Sequence, residues 1–381
     1  MRTRGVLGCV VLFASALLAS NPTPRIVVDE DCPTFTFTPD GQQILYAVQR
    51  ILSMRNFEIE RDDIWEVGLD GRRRRLVDGQ KLVRTRVPFS YAIRSIRISP
   101  SGRLLTVAME TRSLSGPGGR VQEGELVDLM DRSGREIPIE GTHNSIVENT
   151  LEAVWLADDE TVVYTQRPDP GALLFRLAYV RPRAGRGGAI LPAETISAVS
   201  LDPARNRAVA VVPPRVSGEP SRLVLIDLLR QSERELARLN CFSGQLSVSP
   251  DGQQIGYFRD GEVFELRRTD QPDVVRTLRI PYGRYRWFPD GKSLLLMRGS
   301  GNRSGPLFRV DLSSGVLTPL LAETLFSGFD VSPDGQWVAV TEPGRRVLKL
   351  FAASDVLERG QPASWMWRQG ESLKAPWPSG P

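Results

Sequence analysis

A single histidine, His143, stands in the run Gly141-Thr142-His143-Asn144-Ser145. One imidazole excludes multi-histidine metal sites and leaves one base for any Ser-His or Cys-His machinery. No partner motif lies near it, so it reads as a loop residue rather than a general acid or base. The acidic run Asp29-Glu30-Asp31 lacks the spacing of a calcium loop and reads as solvated carboxylate. Arg72-Arg73-Arg74-Arg75 could mark an anion or nucleic-acid patch. It opens a strand-like run, however, where charge deters pairing with foreign strands, and that reading is preferred. Asn302-Arg303-Ser304 fits a glycosylation sequon, a triplet that arises easily by chance. No catalytic residue, metal or cofactor is expected. The charged residues left for a site are Arg97, Arg284, Arg286 and Asp330, and their meaning depends on the elements that hold them.

Those elements repeat. Thr38-Pro39-Asp40-Gly41 recurs as Ser249-Pro250-Asp251-Gly252, Phe288-Pro289-Asp290-Gly291 and Ser332-Pro333-Asp334-Gly335, with Ser99-Pro100-Ser101-Gly102 as a variant. Leu156-Ala157-Asp158-Asp159 and Asp202-Pro203-Ala204-Arg205 are degenerate copies, which makes seven. Proline stops a ladder, aspartate bonds its own backbone and glycine takes a positive φ cheaply, so the phrase is a turn. Alternating apolar residues precede it (Ile96 and Ile98, Tyr285 and Trp287, Phe329 and Val331), and runs such as Ile44-Leu45-Tyr46 and Leu294-Leu295-Leu296 follow it. Third strands are legible at Ile64–Val67, Leu126–Leu129, Leu223–Asp227, Val263–Leu266 and Leu307–Val310. Fourth strands are legible at Arg74–Val77, Val274–Leu278 and Val316–Leu320. Four short antiparallel strands per repeat predict an all-β, seven-bladed propeller, with six or eight blades as the alternative. The insertion Leu52–Arg61 lengthens the first repeat, and Ser113–Gly124, rich in Gly and Ser, is expected to be a mobile surface loop. Arg25-Ile26-Val27-Val28 has no blade of its own and is expected to close the ring as the outer strand of the last blade; Ser364-Trp365-Met366-Trp367 is the rival.

The chain has 381 residues, 41% hydrophobic and 25% charged, with a formal charge of +4, enough apolar material for a large core and too little charge bias to suggest nucleic acid. Residues 1–20 combine Arg2 and Arg4, an uncharged apolar run and small residues at Ala19-Ser20, the layout of a cleaved secretory signal. Export would leave Cys32 and Cys241 in an oxidising compartment. They precede the first strands of blades one and five, too far apart for a bridge unless loops cross the channel. The expected organisation is a signal at 1–20, one propeller over 21–368 and a loose tail at 369–381, in a periplasmic or secreted monomer without a membrane span.

The phrase Ser-Pro-Asp-Gly-x-x-apolar resembles the WD40-like (PD40) repeat of the TolB propeller and of propellers in the prolyl oligopeptidase and dipeptidyl peptidase families. The resemblance spans about residues 31 to 351. The Trp-Asp dipeptide of true WD40 repeats is missing, and the sialidase Asp-box is not met. TolB's separate α/β domain has no room here. The peptidases' Gly-x-Ser-x-Gly elbow is also missing, so no catalytic residue carries over. The resemblance therefore implies a stand-alone propeller. Its channel-lining positions would be Thr36, Arg97, Val154, Ser200, Ser247, Arg286 and Asp330. There Arg97, Arg286 and Arg284 either receive an anion or pair with Asp330 in a wet channel, the latter being preferred. Tyr91, Phe242, Tyr282 and Phe326, ahead of first strands, would serve as partner anchors or as core. The expectation is a non-catalytic module that docks an envelope or secreted protein or peptide. The alternative is an enzyme or binder for a small anionic metabolite or sugar in the channel.

Overall fold

The structure, a computed structural model, describes residues 22–357 except 55–56, 80–89, 116–119, 141–145, 149, 169–172, 192–193, 300–303, 321–324 and 345. His143, Asn302, Arg303, the leader at 1–20, Ser364–Trp367 and the tail at 369–381 lie outside the described residues.

The described residues form seven four-stranded antiparallel sheets, six of them running in chain order from an inner to an outer strand, as in a β-propeller. The inner strands are Phe35–Phe37, Ser90–Ile98, Thr150–Trp155, Ala198–Asp202, Ser243–Val248, Gly283–Trp287 and Gly328–Val331 for blades 1 to 7. Blade 7 takes its outer strand from the start of the chain: Ile26–Val28 pairs with Leu348–Leu350 in the register Ile26↔Leu350 and Val28↔Leu348. Ring closure therefore follows the first of the two expected routes.

The second strand of each blade carries a run of consecutive apolar residues because both of its faces are covered. In Gln43–Val48, Leu45 and Ala47 enter the core shared with blade 2, whereas Ile44, Tyr46 and Val48 enter the core shared with blade 7. The same alternation sends Leu294 and Leu296 toward blade 5 and Leu295 and Met297 toward blade 7. Among the described residues there is one hydrophobic cluster per blade junction, seven in all, and none at the centre of the ring. Each blade is thus a wedge held by period-two side chains on both faces.

The repeated turn works as its chemistry requires. In Ser249–Gln254, the Asp251 Oδ1 accepts the Ser249 hydroxyl at 2.6 Å and the Gln253 N–H at 2.9 Å, and the Ser249 Oγ accepts the Gln254 N–H at 2.8 Å. Gly252 sits at φ +73°. The degenerate copies also use a left-handed residue, Asp159 in place of the glycine and Asn206 one residue beyond the aligned copy after a 3-10 turn, both at φ +53°, residues that tolerate it.

These turns also interlock around one face of the ring. Gly102 backs onto Pro39, Gly291 onto Asp251, Gly335 onto Pro289, and Gly41 onto Asp334. The remaining junctions are hydrogen bonds: Ser101 Oγ to Asp159 Oδ1 at 2.8 Å, Ala157 N–H to Asn206 Oδ1 at 3.3 Å, and Arg205 to the Pro250 carbonyl at 2.7 Å. All seven junctions are spanned on this turn face.

The opposite, loop face carries the insertions. Ile51–Met54 and Phe57–Glu60 form a separate two-stranded hairpin. The segment expected as a mobile loop at 113–124 instead continues the sheet of blade 2: Leu104–Ser115 pairs with Arg120–Asp131 out to Ser115↔Arg120. Residues 116–119, which carry three of its glycines, lie outside the described residues, and the strands on either side keep regular pairing.

Candidate functional site: the channel and the loop face

Of the four charged residues singled out from sequence, three meet at the channel. Arg286 on blade 6 lies 3.7 Å from Asp330 on blade 7. Burial raises the Asp330 carboxyl above the usual carboxylate range, while Arg286, the Val331 N–H and the field of Arg97 pull it back down. Arg97 on blade 2 pairs with Glu152 on blade 3 at 3.1 Å. Each guanidinium therefore has its own carboxylate, and no cationic surplus is left in this group for a small anion. Glu152 was missed from sequence because the turn-based alignment selected Val154. The signal was a carboxylate two residues earlier on the same inner strand.

Arg284 does not join them. It donates to the Ser327 carbonyl and lies 5.9 Å from the Phe329 ring. Burial first, and then Arg286, lower its pKa. It is a wedge residue between blades 6 and 7. The other channel positions tie blades together: Ser200 Oγ accepts the Val248 N–H at 3.2 Å, and Ser247 Oγ accepts the Trp287 indole N–H at 2.7 Å. The Gln245 amide spans the same junction in both directions, donating to the Tyr285 carbonyl at 2.9 Å and accepting its N–H at 3.0 Å.

The four aromatics divide into two pairs. Tyr91 and Phe326 are 1% and 2% exposed and belong to the cores of the blade 1–2 and blade 6–7 junctions. The Tyr91 hydroxyl donates to the Gly79 carbonyl. Phe242 and Tyr282 are half-buried at the loop face, with ring centroids 6.2 Å from Tyr257 and 5.0 Å from Phe258. Phe242 and the exposed Cys241 line a cavity of about 740 Å³ between blades 4 and 5. Cys32 is a buried free thiol in the junction of blades 7 and 1, and burial drives its pKa up. The two cysteines are not bridged.

A polar network locks the ring seam on this face. Arg346 grips Asp31 with two bonds, the second at 3.0 Å, and also donates to Gln49 at 2.8 Å. Gln49 donates to Glu60 at 2.6 Å, and the Glu60 N–H donates to Ser90 at 2.8 Å. The chain end, the chain start, the hairpin and blade 2 are thus linked in sequence. The acidic run read as solvated therefore contains a seam residue, Asp31. In the arginine run, Arg73 bonds the Val27 carbonyl at 2.8 Å, and Arg74 and Arg75 face Glu66 and Asp63. Among the described residues, no group of three or more His, Cys, Asp or Glu could hold a metal, and no helix is long and apolar enough to cross a membrane.

No family model matches the chain, and no curated protein sequence matches it. Solved structures share its fold. A chain of a mitotic checkpoint complex superposes with a TM-score of 0.56 at 14% identity, covering 92% of this chain and 99% of that one. The β-propeller domain of Cps50 (Swd1) from Myceliophteria thermophila gives 0.57 at 11% identity, covering 87% and 99%. This protein has the fold of the WD40-type β-propellers. It holds that fold without their Trp-Asp dipeptide.

Proposed function

We propose that this chain is an exported, TolB-like propeller that acts without catalysis, docking a protein or peptide on its loop face. The observation that carries the reading is the difference between the two faces. The turn face is closed by short interlocked turns, whereas the loop face projects the Ile51–Glu60 hairpin and the extended ribbon of blade 2. Rigid scaffolds that lift already-paired insertions from one side are suited to recognition, because little ordering entropy is lost on binding. Phe242 and Tyr282 supply half-buried rings on that face. The charge pairing of Arg97 with Glu152 and Arg286 with Asp330 argues against the channel as a site for a small anion. One of the similar folds is a chain of a protein complex, which fits a role in assembly. The leader-like residues 1–20 support an envelope or secreted location, and the Ser-Pro-Asp-Gly turns support the TolB-like assignment.

The test is to replace Ile51–Glu60 with a short turn in the full chain and compare proteins captured by in-cell crosslinking. Loss of a recurrent partner with an unchanged circular dichroism spectrum supports the reading. Equal capture by the shortened protein, or a substrate turned over by the pure chain, overturns it.

A further inference from the structure

Most cations of the described surface face a carboxylate, and two that do not, Arg276 and Lys292, share one groove. Between blades 5 and 6, on the turn side of the rim, Arg267, Arg268, Arg276 and Lys292 line a cavity of about 290 Å³. Arg268 is paired with Asp270 at 2.7 Å, and Arg267 with Glu265 at 3.7 Å. Arg276 donates only to the Ser313 carbonyl, and the Lys292 ammonium has no partner among the described residues. The one lining carboxylate, Asp311, keeps its charge but is held within its own turn and forms no ion pair with Arg276 or Lys292 among the described residues. It accepts the Ser313 and Ser314 N–H groups at 2.9 and 2.8 Å and both of their hydroxyls, which hold its pKa near 2.

The groove also carries apolar residues among its charged ones. Leu266 and Leu312 form its floor, and Val274, 52% exposed, stands at its edge. Beside it runs Val275–Arg279, the outer strand of blade 5, paired on one side only. Other outer strands are guarded differently. The arginines of Arg73–Val77 face Glu66, Asp63 and Asp78, and Ser232–Leu239 carries Glu233 and Glu235 against Arg222 and Arg238. Val275–Arg279 has cations and exposed valine without such opposition.

We infer that this groove and strand edge bind an extended acidic peptide segment of a partner, one that alternates carboxylate and apolar side chains. The segment adds to the free edge of Val275–Arg279 through main-chain hydrogen bonds. Its carboxylates, on the face that Arg276 shares, meet Arg276 and Lys292, and its apolar residues, on the alternate face, lie beside the exposed Val275. This surface is on the other side of the ring from the loop-face insertions and is independent of them.

The experiment uses the full chain and a short fluorescein-labelled peptide of alternating glutamate and valine, read by fluorescence anisotropy at low ionic strength. Binding should weaken by at least about tenfold in Arg276→Glu/Lys292→Glu, because reversed charges at a rim oppose the ligand. It should also fade at 1 M salt, where screening reaches about 3 Å. Arg276→Gln/Lys292→Gln gives the same direction if charge reversal harms folding. The lysine-valine peptide should not bind. Equal affinity in wild type and variants, or equal binding of the lysine peptide, overturns the inference. Full competition by millimolar inorganic phosphate also overturns it, by making the groove a small-anion site.

Discussion

Replacing Asp62 by asparagine should remove a pH dependence from this protein's stability. Asp62 is fully buried where blade 1 meets blade 2. Its Oδ2 accepts the Ile93 N–H at 2.8 Å, and its Oδ1 has no hydrogen-bond partner. Burial raises the carboxyl pKa to about 7; the Ile93 bond opposes the rise, Glu60 adds to it, and an Arg50 backbone bond and Arg346 oppose it. In the unfolded chain the same group titrates near 3.9. Between these values the folded protein holds a proton that the unfolded chain has released. Stability therefore falls as pH rises through that window, by about 1.4 kcal/mol per pH unit for this group. The accumulated loss by neutral pH is on the order of 4 kcal/mol, and it stays constant above that. Asparagine keeps an acceptor for Ile93 and cannot ionise. Urea unfolding of both proteins from pH 4 to pH 8 should show nearly equal midpoints at the acid end and a growing advantage for Asp62→Asn up to about pH 7. Parallel curves would refute the assignment, because they would mean that burial does not suppress ionisation of Asp62.

Three other perturbations test separate parts of the account. Arg346→Ala should lower stability by roughly 1–3 kcal/mol, the worth of charge-assisted bonds, and should speed amide exchange in Ile26–Val28 before other strands. Gly335→Ala should cost more than Gly71→Ala: both sit at positive φ, a penalty of about 1–2 kcal/mol, but a methyl at Gly335 lies 3.3 Å from Pro289 whereas nothing is near Gly71. Chemical denaturation of the pair reads the difference directly. Arg286→Ala should push the Asp330 carboxyl still higher, since the guanidinium is the largest influence holding it down; a carboxyl-carbon NMR titration would show this.

The sequence made the ring legible because the Ser-Pro-Asp-Gly turn has one chemistry, and strands beside it are buried on both faces. Outer strands were harder to see. Arg186–Ile190 and Ser232–Leu239 have one side in water and carry charge or glycine, so their alternation is faint. The blade 2 ribbon was misread because a stretch rich in Gly and Ser reads as a loop, and the pairing of Leu104–Ser115 with Arg120–Asp131 leaves little apolar alternation near Ser115 and Arg120 to offset it. Ring closure could be anticipated from Ile26–Val28, an apolar run without a blade. Its lock could not, since Asp31 and Arg346 are brought together only when the ring closes. Channel residues were located by counting back from the turns, which found Arg97, Arg286 and Asp330. Pairing partners and the inward or sideways direction of Arg284 required the packed blades.

The most direct test of the loop-face docking claim is photo-crosslinking in cells from two positions of the full-length protein. One photo-reactive side chain would replace Leu52 on the loop-face hairpin, and the other Gln336 in the turn ring. The account predicts one recurrent protein partner crosslinked from position 52 and not from position 336. The same partner captured equally from both positions, or none from position 52, would contradict it.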